Sequence, residues 1–268
     1  MTAFPVFILI LLGTALLVSA MGFKKYVWFI SLGYGFSIAA EGIAMLLMYP
    51  KALTFGTVLL SVLFIVYGLR LSGYLAIREF KSSSYKKHMT NEIKDGNDIP
   101  FGVKCAIWVT CALLYVLQVL PAFYRLANTA ADNVMVFVGA GVMLLGLVLE
   151  TAADIQKNAA KKKNPRRFVD TGLYRIVRCP NYLGEMIFWT GAFLSGIGAL
   201  SGFGQWFLAA LGYAGIIFVM FSGARRLELR QNKNYGDDPE YQAYVKRVPI
   251  LLPFIPLYSV VKYKFLVA

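Results

Sequence analysis

Apolar residues fill seven stretches of this chain, roughly 4–21, 27–49, 53–77, 103–121, 132–152, 181–200 and 203–223, each near the length of about 20 residues that a helix needs to cross a bilayer. Turn signals separate them: Met21-Gly22, Tyr49-Pro50, Pro121 and Ser201-Gly202. The first stretch has no Lys or Arg before it and no small-residue cleavage site leading into a soluble chain, so it is expected to be a span and not a removable signal. The pattern predicts an all-α polytopic membrane protein with seven transmembrane helices, without internal repeats or low-complexity tracts.

Charge orients these spans. With the N-terminus outside, the cytoplasmic side receives Lys24 and Lys25, the loop from Arg78 to Lys104, the loop from Asp154 to Arg178, and the tail after Gly223. Together these hold all of the 27 basic residues except Lys51 and Arg125, which fall outside, and Arg70, which lies within the third span. That is the Lys and Arg bias of the positive-inside rule, so the expected topology is N-out/C-in. Composition agrees: 58% of the chain is hydrophobic and 15% charged, against roughly 25% charged in soluble domains. Topology alone accounts for most of the net charge of +13, which therefore gives no ground for a nucleic-acid partner. Cys105, Cys111 and Cys179 form no CxxC pair, and the single histidine, His88, has no second ligand near it; neither a disulfide scaffold nor a metal site is expected.

Charge inside the membrane is what the rule does not predict, and such residues mark functional sites by default. Two stand out, Glu41 in "SIAAEGIAM" and Arg70 in "VYGLRLSGY", either as functional groups or as a structural ion pair joining the second and third spans. Tyr67 and Tyr74 share a helix face with Arg70. A second polar element, "TGLYRIVRCPNYLGE" at 171–185, runs from the longest basic loop into the sixth span. There Asn181, Glu185 and Trp189 are four apart and share one face. Pro180 suits a first helical turn, whose free amides make a ready anion site. Lys161, Lys162, Lys163, Arg166, Arg167, Arg175 and Arg178 surround it, a set that fits either a phosphorylated dinucleotide or lipid headgroups.

The run from Asp154 through "GLYRIVRCPNYLGE", with the ending "DPEYQAYVKRVPILLPFIP", resembles the C-terminal half of the steroid 5-alpha-reductase family and of the related sterol and enoyl-CoA reductases. The resemblance covers Asp154 to Pro256 with an interruption at "QNKNYGDD", and is weaker in the N-terminal half, through "AAEG" and "VYGLRLSGYLAIR". Isoprenylcysteine carboxyl methyltransferases, which use S-adenosylmethionine, carry a similar Arg-x-Pro-x-Tyr-x-Gly element. Glu185 directly after the Tyr-Leu-Gly step, Asp154 one loop upstream, and the glutamate and tyrosine in spans two and three favour the reductases. The methyl donor, a cation with a single carboxylate, also has less use for the basic cluster.

The resemblance implies one transmembrane catalytic domain, with substrate-side helices at 1–152 and a cofactor-binding part at 153–268. It implies an NADPH-dependent reductase of an enone lipid, most simply a 3-oxo-4-ene steroid, entering from the bilayer, with the cofactor site facing the cytosol. Membrane lipids are the expected surroundings, and no protein partner is evident. By resemblance, Tyr67 donates to the developing enolate oxygen and Glu41 orients it; the helix rise counted from a turn at Pro50 makes Ser61 an alternative partner for Glu41, and Tyr34 or Tyr74 are the next donors to test. Asn181 and Glu185 contact the nicotinamide end; Asp154, Tyr174 and Arg178 line the mouth; Lys161, Arg166 and Arg167 hold phosphates. Arg78 approaches from the third span, and Arg226 and Tyr244 close the site. Ala40 stands where the steroid enzymes have glutamine, which removes one polar contact to a ketone and leaves the substrate open.

Overall fold

The computed structural model describes residues 3–81 and 99–266, with side chains from 6–77 and 99–266. His88 lies outside the described residues, as does the side chain of Arg78. All regular structure among the described residues is helical. The α-helices are α1 (Ala3–Ser19), α2 (Leu32–Met48), α3 (Phe55–Lys81), α4 (Phe101–Ala127), α5 (Val134–Lys163), α6 (Pro180–Ser195), α7 (Gly202–Tyr235) and α8 (Pro239–Arg247). Among the described residues, six segments are long and apolar enough to cross a membrane: Val6–Phe23, Tyr26–Met48, Phe55–Ile77, Phe101–Ala127, Val134–Lys163 and Gly202–Tyr235. The chain is thus an integral, multi-pass helical protein.

Three details depart from the pattern of the sequence. The stretch expected to span at 181–200 forms only the 16 residues of α6, about 24 Å at 1.5 Å per residue against a hydrocarbon core of about 30 Å. Past Ser195 the chain turns, and Gly198 (φ +82°) and Gly202 (φ +69°) adopt the left-handed backbone that glycine tolerates. Pro121, expected at a turn, lies inside α4. Its ring has Gly196 against it, where a Cβ would come within 2.8 Å, and the Leu117 carbonyl that proline leaves without its helical donor is approached by the backbone of Gly212, whose Cβ would lie 2.4 Å from that oxygen. Neighbouring helices that come this close are what let proline persist in a membrane helix. Arg125, expected in an outer loop, is 1% exposed in the last turn of α4. It donates to Ala131 O (2.6 Å), Ser195 O (3.0 Å) and Asn133 Oδ1 (3.4 Å), closing the irregular segments around it.

The chain divides into two compact units, 1–140 with 192–213, and 141–191 with 214–268. In the first, α2 and α3 form an antiparallel hairpin whose approach glycines permit. A Cβ on Gly68 would lie 2.1 Å from Gly35 O, and one on Gly42 would lie 2.9 Å from Ser61 O. These contacts set the register: residue 35 is level with 68, and 42 with 61. The far end is capped by Asp132, which accepts from Thr54 Oγ1 (2.6 Å) and Gly56 N (2.9 Å), satisfying orphan donors at the start of α3.

In the second unit, α5 and α6 cross at Gly146 and Gly184, whose added Cβ atoms would lie 2.4 Å from Phe188 N and 2.6 Å from Glu150 N. The loop between them is folded back by Gln156, whose Oε1 accepts Leu173 N at 2.8 Å beside Gly172 (φ +59°). It is held by a small core in which Phe168 packs on Tyr241, Tyr244 and Val248. Arg178 N and Cys179 N donate to Pro249 O and Ile250 O, each at 2.9 Å, which pins the C-terminal tail beside the start of α6.

Candidate functional site

The hairpin register decides what meets what in the first unit. Tyr34 and Tyr67 are almost level, and their hydroxyls lie 3.2 Å apart with the rings edge to face. Gln118 on α4 donates to the Tyr34 hydroxyl at 3.4 Å. Tyr115, one turn earlier on α4, packs its ring 5.2 Å from that of Tyr34 and donates its own proton to Phe29 O at 2.6 Å. All four side chains are buried. The result is a phenol cluster in an apolar bundle, where a hydroxyl can only discharge its hydrogen bond to another polar group.

Glu41 lies five residues, about 7.5 Å, from the level of Tyr67 along the helix axes, counted from the register at 1.5 Å per residue. It is 0% exposed, and neither carboxylate oxygen accepts a hydrogen bond among the described residues. Glu41 therefore does not orient Tyr67 through a hydrogen bond, nor does Ser61 or Arg70 donate to it. Burial of such a group without a compensating bond costs about 1–3 kcal/mol on mutational scales. It lies within electrostatic range of the Tyr115 phenol. Tyr67 does meet Tyr34, the residue next in line from the sequence.

In the second unit the α5–α6 register places Asp154 level with Pro180 and Asn181, and Glu150 level with Gly184. Asp154, Asn181 and Glu185 thus belong to one end of this helix pair, and Asn181 Oδ1 is buried with no hydrogen-bond partner among the described residues. Glu150, 3% exposed, joins this set and was not singled out from the sequence. Its signal was present: Glu150 and Asp154 are four apart on one helix face.

Other expected cofactor residues have structural tasks. Arg178 is 2% exposed; its Nη2 donates to Glu228 Oε1 at 2.9 Å and to Tyr258 O, which braces the tail, while its Nε and Nη1 are buried with no hydrogen-bond partner among the described residues. The other oxygen of Glu228 accepts Val260 N at 2.9 Å. Tyr174 and Tyr244 are buried in sequence with each other: Tyr244 donates to Tyr174 O (2.7 Å) and Tyr174 to Ala153 O (3.3 Å). Tyr244 stacks on Phe168 and so is a core residue, not an interfacial anchor. Burial raises both phenols above their ordinary range, and pushes the Cys179 thiol up to about 12.

Lys161 donates to Arg167 O (2.6 Å), Tyr235 OH (2.9 Å) and Pro165 O (3.2 Å), capping the end of α5. Arg167 is held by Asp170 at 2.9 Å and by Glu240. Two of the three expected phosphate cations are therefore engaged within the fold. Arg166, Arg175 and Arg226 are exposed. No group of three or more His, Cys, Asp or Glu able to hold a metal ion occurs among the described residues.

The chain belongs to the family DUF1295, described as proteins of unknown function, whose sequence profile matches residues 18–248. No curated protein and no solved structure matches it significantly.

Proposed function

We propose that this protein is a membrane oxidoreductase, similar to the steroid 5-alpha-reductases, that reduces the carbon-carbon double bond of an enone lipid with NADPH. The most suitable substrate class is a 3-oxo-4-ene steroid or a sterol-like enone. The observation that carries the reading is the buried phenol pair Tyr34–Tyr67 in the same unit as a carboxyl group, Glu41, that the fold leaves without a hydrogen bond. NADPH, when bound, would supply the hydride for the β carbon of the enone, and the protein would have to meet the negative charge left on the carbonyl oxygen. A phenol already placed in a dry bundle meets that charge without reorganisation, an effect worth a factor of about 10² to 10³. Tyr67 is the donor in this reading, Tyr34 holds it in place, and Glu41 is available to a polar atom of the substrate. The α carbon takes its proton from water.

Asn181, Asp154 and Glu185 suit the amide end of a nicotinamide, Asn181 through the acceptor its Oδ1 offers. Arg166, Arg175 and Arg226 are the exposed cations available to phosphates. With seven spans, α6 being a short one, and N-out/C-in orientation, these cations face the cytosol, where NADPH is found. One observation favours the methyltransferase alternative: Lys161 and Arg167 are engaged internally, which leaves fewer cations for a dinucleotide.

Ligand-dependent stability separates the two. A ligand at 100 times its dissociation constant raises stability by about 2.7 kcal/mol. In detergent, NADPH is expected to raise the thermal midpoint, NADH less so, and S-adenosylmethionine not at all. Stabilisation by S-adenosylmethionine alone would assign the protein to methyl transfer.

A further inference from the structure

The C-terminal tail carries a feature that neither the phenol cluster nor the cofactor residues explain. Between Ile250, whose N donates to Leu257 O at 2.9 Å, and Leu257, whose N donates to Ile255 O at 2.7 Å, the chain makes a closed loop over 250–257. Its base is fixed: Leu251 is fully buried, and Ile250 O accepts Cys179 N. Its apex is Pro253-Phe254-Ile255-Pro256. Phe254 is 98% exposed and has φ +65°. A bulky side chain in left-handed backbone is a steric outlier costing on the order of 1 kcal/mol or more, and this one packs against nothing that would repay it. Phe254 therefore weakens the fold, and its role must lie outside the chain.

We propose that this loop is a membrane wedge, with Phe254 and Ile255 inserted at the boundary between headgroups and acyl chains of the protein's own membrane and Lys262 and Lys264 engaging anionic headgroups beside it. Three observations fix the occupant and its depth. The loop is irregular, and lipid-exposed irregular backbone is excluded from the hydrocarbon centre, which leaves the interface. Pro253 and Pro256 remove two N–H donors from the apex, which lowers the cost of bringing it near lipid. Along the tail, exposed Lys262, Lys264 and Phe265 lie between buried Val260 and Leu266, so the segment is held to the protein at both ends and presents between them the aromatic and basic residues that interfacial segments use. A second copy of the chain would supply apolar surface to Phe254, but with a net charge of +13 it would on balance repel the lysines, which anionic headgroups attract. The proposal is independent of the reductase reading.

The test uses the full chain with Phe254→Cys in a Cys105→Ala, Cys111→Ala background, labelled with an environment-sensitive fluorophore and reconstituted in phosphatidylcholine vesicles with or without phosphatidylserine. The expected result is blue-shifted emission, quenched more by a spin label high on the acyl chain than by one near its end. The charge reversals Lys262→Glu and Lys264→Glu should weaken insertion in the anionic vesicles only, by about fivefold per lysine. Water-like emission without lipid quenching overturns the proposal, and so does self-quenching that grows with protein-to-lipid ratio, which would identify a second copy. Phe254→Gly guards against misfolding: glycine accepts φ +65°, so the midpoint in detergent should hold or rise while the stabilisation gained on transfer into anionic vesicles shrinks. A lowered midpoint in detergent would mean that Phe254 serves the fold, and the proposal would fail.

Discussion

Glu41 and Glu228 are both withdrawn from solvent, at 0% and 3% exposure, yet their surroundings are opposite. Glu228, in the second unit, receives Arg178 on one oxygen and Val260 N on the other, and Arg178 in turn holds Tyr258 O. Every bond it makes ties the tail to the start of α6. Glu41, in the first unit, accepts no hydrogen bond among the described residues. A carboxylate that accepts a bond from the fold on each oxygen is fixed in place and has less capacity left for a ligand, whereas one without such bonds costs stability and retains its full capacity. The difference separates a brace from a group held for chemistry, and it depends on partners, not on burial.

The comparison is sharpest where the brace is broken. Removing one member of a buried ion pair leaves the other uncompensated, at a cost of about 3–5 kcal/mol. Glu228→Ala and Arg178→Ala should therefore lower the thermal midpoint more than any other substitution named here. The double change Arg178→Met with Glu228→Leu should recover part of the loss, but not all of it, because Tyr258 O and Val260 N still lose their partners. Full tolerance of Glu228→Ala in chemical denaturation would break the distinction at its root.

Glu41 should behave in the reverse sense. Glu41→Leu is expected to stabilise the protein by about 1–3 kcal/mol, the cost of burying an unmatched polar group. Glu41→Gln should leave the midpoint almost unchanged while turnover of an enone falls by a factor of about 10² or more. Tyr67→Phe should lose turnover to a similar degree. With Tyr34→Phe the loss should be non-additive, since the two hydroxyls act through one hydrogen bond. A loss of stability in Glu41→Leu comparable to that of Glu228→Ala would make Glu41 a brace as well.

How far these roles can be read without coordinates depends on the kind of information. Hydrophobic runs were sufficient for the membrane class and most helix positions. They placed Pro121 at a turn because a single helix shows no sign of the glycines on other segments that make room for it. Glu41 and Tyr67 were recognisable as polar groups out of place, but their pairing was not, because register is set by where Gly35, Gly42 and Gly68 allow the backbones to touch. Tyr34 is level with Tyr67 for that reason, and Glu41 is not. Counting cations gave no sign that Lys161, Arg167 and Arg178 have partners within the fold, since charge is visible in a sequence and prior engagement is not. Glu150 was missed although the i, i+4 spacing to Asp154 announced it.

A smaller effect concerns the tail's anchoring at Cys179. Its thiol is pushed up to about 12 by burial, so it ionises at a lower pH in the unfolded chain than in the folded one. The contribution to stability is complete below the unfolded value of about 8.5 and is lost progressively as pH rises from there toward 12. Cys179→Ala should flatten the alkaline limb of stability against pH, while Cys105→Ala serves as the control.

The smallest expected effect distinguishes cations that belong to the fold from those left for a ligand. Arg167 is tied to Asp170 and Glu240, but with 41% of its side chain exposed, against 28% and 66% for these partners, the ion pairs are largely solvated. Exposed pairs contribute about 0.2–1 kcal/mol and are screened by salt. Arg167→Gln should therefore lower the midpoint slightly at low ionic strength and not measurably at high. Because two carboxylates already occupy its guanidinium, its effect on NADPH affinity should also be small. Arg166 is exposed beside it, and a charge-assisted bond to a phosphate is worth about 1.5–3 kcal/mol. Arg166→Gln should weaken NADPH binding by about tenfold or more with no change in the midpoint of the free protein. Titrating both variants decides the matter: a larger loss of affinity in Arg167→Gln would mean that the carboxylates release their arginine to the ligand, and that the brace and the binding group are here the same residue.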